Sequence, residues 1–141
     1  MRPYRGLTKD GKWVYGNLIV NNAYDLNDGT HKPEPMHTYI RERDYTWVND
    51  PNNKRWTHIS YEVIPETVGR YTGLKDIDKT EIYASDKIET PNWGTVAVEW
   101  SEEKAMYGFW YTSNWGKSWC SLWKAQGDCK VIGNIHQEVK I

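Results

Sequence analysis

Val63-Ile64-Pro65-Glu66-Thr67-Val68-Gly69-Arg70-Tyr71-Thr72-Gly73-Leu74-Lys75-Asp76 decides how this chain is read. The stretch reads as extended chain, a glycine turn at Thr72-Gly73 and a second turn over Lys75 to Lys79. Glu81-Ile82-Tyr83-Ala84-Ser85-Asp86-Lys87-Ile88 follows as a short strand and turn, and Val131-Ile132-Gly133-Asn134-Ile135 as a closing strand. Outward from there, Pro91-Asn92-Trp93-Gly94 is another turn. Thr95 to Trp100 alternates so that Val96, Val98 and Trp100 share one face, and Met106 to Thr112 is a further strand. Short strands at this spacing predict a barrel or sandwich from Glu66 onward.

Toward the N-terminus, Lys9-Asp10-Gly11-Lys12 is a hairpin turn between two strands within Met1 to Val20, since Asp-Gly supplies the positive φ such turns need. Ala23 to Asn53 is irregular. Asn27-Asp28-Gly29, Pro33-Glu34-Pro35 and Asn49-Asp50-Pro51-Asn52-Asn53 break it, leaving short strands around His37 to Arg41 and Tyr45 to Val48. Trp56 to Ile64 is the next strand, stopped by Pro65. The expected organisation is a β-rich N-terminal lobe at 1–65 and a barrel at 66–141, mainly β throughout.

Ser113 to Gln126 fits two periods. Trp115, Trp119 and Trp123 stand at i, i+4, i+8 with Leu122 beside them, and Ser113 or Asn114 could cap a helix. The same letters alternate as a strand, with Trp119, Ser121 and Trp123 on one side. The reading adopted is one or two helical turns, although Gly116 inside them costs about 1 kcal/mol relative to Ala.

Composition narrows the function. Eighteen basic residues against nineteen acidic give a net charge of −1, so no overall field draws the chain to nucleic acid or acidic membranes. No segment approaches the roughly twenty apolar residues of a membrane span, and Met-Arg-Pro-Tyr-Arg lacks a secretory core. Two cysteines are too few for a disulfide framework and are expected as reduced thiols in a cytoplasmic protein. Cys120, Cys129 and His136, with His31, His37 and His58 scattered elsewhere, lack the close Cys pair of structural zinc sites, so no metal and no cofactor is expected.

Nucleophile elbows, Walker loops and zincin or dinucleotide motifs are absent from the sequence. Glu66, Asp76, Asp78, Glu81 and Asp86 could do acid–base work, but turns want Asp for backbone reasons. Arg41-Glu42-Arg43 and Lys54-Arg55-Trp56 interleave cations with Tyr39, Tyr45, Trp47 and Trp56, a pattern suited to phosphate and base contacts. Glu42, Asp44 and Asp50 dilute it toward an ordinary solvated face.

Six of the nine Trp lie between Trp93 and Trp123. They are weighed as core fill for a chain poor in Leu and Ile, as an interface, and as a stacking platform. Trp110, Tyr111, Trp115, Trp119 and Trp123 form the candidate binding surface.

The blocks quoted above, with Tyr4-Arg5-Gly6 and Asp10-Gly11-Lys12-Trp13-Val14-Tyr15-Gly16, resemble the YopX family of phage and prophage proteins. The resemblance implies an SH3-like barrel for the C-terminal part and a phage accessory protein acting inside a bacterial cell. Tyr83-Ala84-Ser85-Asp86 departs from the family's Tyr-Glu-Gly-Asp type of turn, which suggests a different backbone there. The Trp-rich stretch from Trp110 to Trp123 departs too. The expectation is a non-enzymatic protein that binds a host bacterial protein and antagonises host defence, with homo-oligomerisation as a further use of the Trp surface. The alternative is a binder of a small ligand, such as a signalling nucleotide, or of single-stranded nucleic acid.

Overall fold

The computed structural model describes residues 2–21 and 37–136, with backbone alone at 21 and 43–46. The turn clusters at Asn27-Asp28-Gly29 and Pro33-Glu34-Pro35, and His31, lie outside the described residues. The chain is mainly β and divides into two compact units, Met1–Val68 and Gly69–Ile141. The expected lobe boundary at 65/66 falls in a 3-10 turn, Pro65–Thr67.

In the first unit, β1 (Tyr4–Leu7) and β2 (Trp13–Asn21) pair antiparallel through the expected Asp-Gly hairpin. Gly11 takes φ +88. Thr8 organises the turn: its hydroxyl oxygen accepts the Lys12 amide at 3.0 Å, and its own amide donates to Lys12 O at 2.9 Å. β3 (His37–Asp50) and β4 (Asn53–Glu62) extend the ladder to the order β4-β3-β2-β1.

Here the strands are longer than expected. The two short segments at 37–41 and 45–48 are one strand, because register shifts at Arg41–Arg43 and Arg43–Thr46 absorb the irregularity without ending the pairing. Asp50-Pro51-Asn52-Asn53 closes a tight hairpin, with the Asn52 amide held by Asp50 Oδ1 at 3.0 Å. One face of this sheet buries Val14 and Ile40, with Val63, Leu18, Tyr61, Tyr4 and Val68 around them. The opening block is tied down by Thr67, whose Oγ1 accepts the Leu7 amide at 2.9 Å and donates to Ile64 O at 2.6 Å.

The second unit contains β5 (Gly69–Lys75), β6 (Glu81–Tyr83), β7 (Asp86–Thr90), β8 (Gly94–Ala97), β9 (Glu99–Ser101), β10 (Met106–Ser113), β11 (Gly116–Ser121), α1 (Leu122–Ala125) and β12 (Lys130–Asn134). Its ladders are antiparallel: β5-β6, β12-β7-β8 and β11-β10-β9. Ile82, Ile88, Val96, Val98, Phe109, Cys120, Leu122, Ala125 and Cys129 form its core. These ladders are open sheets, so mainly β is the level at which the fold expectation is met.

Two carboxylates of the acidic run hold this unit's turns. Asp76 is buried; its Oδ1 accepts the amides of Asp78 (2.9 Å) and Thr80 (2.8 Å), and its Oδ2 that of Val131 (3.0 Å). Buried Asp86 accepts the Tyr83 amide at 2.8 Å. Between them Ser85 sits at φ +76, a left-handed conformation in which glycine is the usual residue.

Two sequence readings are corrected. Ser113 to Gln126 is not one helical segment: Gly116–Ser121 is a strand paired with β10, and only Leu122–Ala125 is helical, capped by Ser121 Oγ accepting the Trp123 amide at 3.2 Å. Alternation wins because it buries Cys120 against Phe109, its direct cross-strand partner. Trp100 does not share the buried row of Val96 and Val98. The strand breaks at Val98, whose amide turns to Asp86 O at 2.8 Å, and Trp100 lies half exposed, edge-on to Tyr107 at 4.9 Å.

Candidate functional site: a tryptophan-bearing hairpin

The β10–β11 hairpin carries four of the five candidate residues, and three of them, Trp110, Trp115 and Trp119, stand apart from the core. Ser113 pairs with Gly116, leaving Asn114 and Trp115 as the connection. Gly116 takes φ +101, and Ser113 Oγ accepts the Trp115 amide at 3.2 Å, so the tip is locally held. Trp115 is 96% exposed there. Trp110 and Trp119 are directly cross-strand and so share a face, with ring centroids 5.3 Å apart in an edge-to-face arrangement. Such pairs contribute about 0.5–1.5 kcal/mol beyond their area. Trp110 remains 48% exposed, whereas Trp119 is half-buried over Gly108. A Cβ at Gly108 would stand 2.6 Å from Trp119 Cζ2 and 2.3 Å from Cys120 O, so only glycine lets this indole lie flat.

The other two candidates take different places. Tyr111 points to the opposite face, against Trp93 at 6.1 Å, and packs on the core. Trp123 is on α1 and 67% exposed. The expected stripe of Trp115, Trp119 and Trp123 therefore does not exist: one is at a tip, one in a strand and one in a helical turn. Core fill is also not the main use of these residues. Trp93 alone of the six packs against the buried cluster, which is built of aliphatic residues, Phe109 and the two cysteines.

Cys120 and Cys129 are free, and burial pushes both thiols above the ordinary thiol range; Asp76 adds to the effect at Cys129 and Lys124 opposes it at Cys120. Among the described residues no three His, Cys, Asp or Glu side chains come together to hold a metal ion. No described helix is long and apolar enough to cross a membrane.

The first unit holds a concave place at two residues of the cation–aromatic pattern, Tyr39 and Arg41, where sequence reading missed the part of Ile19, His58 and Ser60. Ile19, Tyr39, Arg41, His58 and Ser60 line a cavity of about 240 Å³. The signal was present in the alternation of Lys54, Trp56, His58, Ser60 and Glu62, but its partners come from two other strands.

The chain was compared with known proteins. The solved structure of protein EF1440 from Enterococcus faecalis is similar over 99% of this chain and 96% of that one, at 18% identity and a TM-score of 0.47. No curated protein matches. The family profile described as YopX protein matches residues 4–141, nearly the whole length, and the chain belongs to the YopX family.

Proposed function

We propose that this YopX-family chain is a non-enzymatic phage or prophage accessory protein that binds a host protein in the bacterial cytoplasm and thereby antagonises a host defence. The observation that carries this reading is the exposed Trp110 and Trp115 on one hairpin whose strands are fixed by a continuous ladder. Trp dominates interface hot spots because one rigid ring removes a large area from water at small entropic cost. In this reading residues 66–141 act as the family's SH3-like barrel. The short antiparallel ladders around one core support that role, since they present the hairpin on a rigid base.

The test is capture of a host protein on the immobilised chain, followed by titration of the purified partner. Trp115→Ala and Trp110→Ala should each weaken binding about 30-fold, the equivalent of a 2 kcal/mol hot spot, with unchanged circular dichroism. Equal binding by both variants overturns the assignment of the hairpin, and turnover of a substrate overturns the non-enzymatic reading. Sedimentation separates a second copy of the chain from a foreign partner on the same surface.

A further inference from the structure

The first unit carries a different kind of surface on the sheet face turned away from Val14 and Ile40. Register places Ile19 opposite Tyr39 and Arg41 opposite Ser60, so these four share that face. His58 follows two residues along β4, and together they line the cavity of about 240 Å³. This is below the roughly 300–1,000 Å³ of drug-sized ligand pockets, which suits one charged group with part of the ring next to it. The polar lining can donate from a guanidinium, an imidazole and two hydroxyls. Ser60 Oγ is buried with no hydrogen-bond partner among the described residues, a costly state that a ligand oxygen would relieve.

Two residues further along β4, about 7 Å away at strand rise, is Trp56. It is cross-strand from Trp47, ring centroids 5.4 Å apart, with both indoles largely exposed at 64% and 46%. Lys54 comes next on the same side. The one carboxylate in the row Lys54, Trp56, His58, Ser60, Glu62 is at its far end and is engaged by His37 Nδ1 at 2.8 Å. A cationic, hydroxyl-lined hollow beside an exposed indole pair is the arrangement that takes a phosphate and stacks its base.

We infer that the β2–β3–β4 face is a nucleotide-binding site, with Arg41, His58, Ser60 and Tyr39 receiving a phosphate and Trp47 and Trp56 stacking the base. The site is separate from the hairpin proposed above and stands without it.

The experiment is isothermal titration of the full-length chain with AMP, GMP, an eight-residue oligo-dT, an eight-residue RNA and inorganic phosphate. Binding of at least one nucleotide probe is expected, with competition by inorganic phosphate. Trp56→Ala should weaken it roughly 5- to 150-fold, since stacking is worth about 1–3 kcal/mol per base. Arg41→Gln should weaken it at least about tenfold and reduce its salt dependence. Trp115→Ala should leave it unchanged, which separates this site from the hairpin. A mononucleotide bound as tightly as an oligomer identifies a free nucleotide as occupant, and a large preference for the oligomer identifies a strand. No binding of any probe at millimolar concentration overturns the inference, as does wild-type affinity in both Trp56→Ala and His58→Ala, exposed positions whose replacement spares the fold.

Discussion

The two units solve the problem of a chain poor in Leu and Ile in different ways. Gly69–Ile141 gathers nine buried residues into one cluster around Phe109, while the buried cluster of Met1–Val68 among the described residues is Val14, Ile40 and Val63, with Leu7 buried apart from it. The first unit compensates with cation–aromatic contacts. Arg2 lies over Tyr15 at 4.1 Å, buried Arg5 over Trp13 at 4.6 Å, and Lys12 over Tyr61, which packs on that small cluster, at 5.4 Å, so cationic side chains extend the apolar packing over aromatic faces. A sheet held by its ladder and these contacts can leave its other face concave and polar. A unit held by a packed core has its interior committed, and offers only what projects from it, here the hairpin tryptophans.

The sharpest test of this contrast is a pair of equally buried residues. Phe109→Ala should cost about 3–5 kcal/mol in urea unfolding, and Ile40→Ala about 2 kcal/mol, because fewer neighbours lose contacts around it. Equal losses would break the comparison. Next in size, Asp76→Asn should cost about 2–3 kcal/mol by the same measurement. The amide keeps one acceptor oxygen for three backbone donors and adds an N–H₂ where none is wanted. A change below half a kcal/mol would show that the turn is held by the ladders instead.

Ser85→Gly should stabilise the second unit by about 1 kcal/mol, since φ +76 disfavours any residue with a Cβ; differential scanning calorimetry would register it as a higher Tm. The smallest expected effects are opposite pH dependences. In the second unit the thiols of Cys120 and Cys129 are raised by burial, so their contribution is fully present below the unfolded thiol pKa, near 9.0, and is lost as pH rises through the folded values. In the first unit the His37 hydrogen bond lowers Glu62. That contribution is present above the unfolded value of 4.5 and fades as pH falls through the folded one. Because the Glu62 pair is exposed, the acid limb should be slight and weaken with salt. Tm against pH in Cys129→Ala and Glu62→Gln separates the two limbs; a Glu62→Gln curve unchanged in its acid limb would remove the pair from the account.

Much of this protein is determined by local chemistry that sequence alone displays. Asp10-Gly11 specifies its hairpin because few residue pairs supply that backbone. Asp76 and Asp86 mark turns because a short carboxylate reaches nearby amides. The alternations in β7, β8 and β10 mark strands because one face of each must leave water. The resemblance to the YopX family was legible in blocks such as Val63 to Asp76, and the family match spans residues 4–141. The rest waited for tertiary structure. Ser113 to Gln126 satisfied both the helical and the extended period, and pairing with β10 decided between them by enclosing Cys120. Trp100 carried the right alternation but the wrong partner, since the break at Val98 sent it to Tyr107. The hollow of Ile19, Tyr39, Arg41, His58 and Ser60 draws on three strands, and its residues become neighbours only through register. A sequence records which backbone conformations each segment prefers; which distant side chains share a face depends on the pairing of strands, and no local preference encodes it.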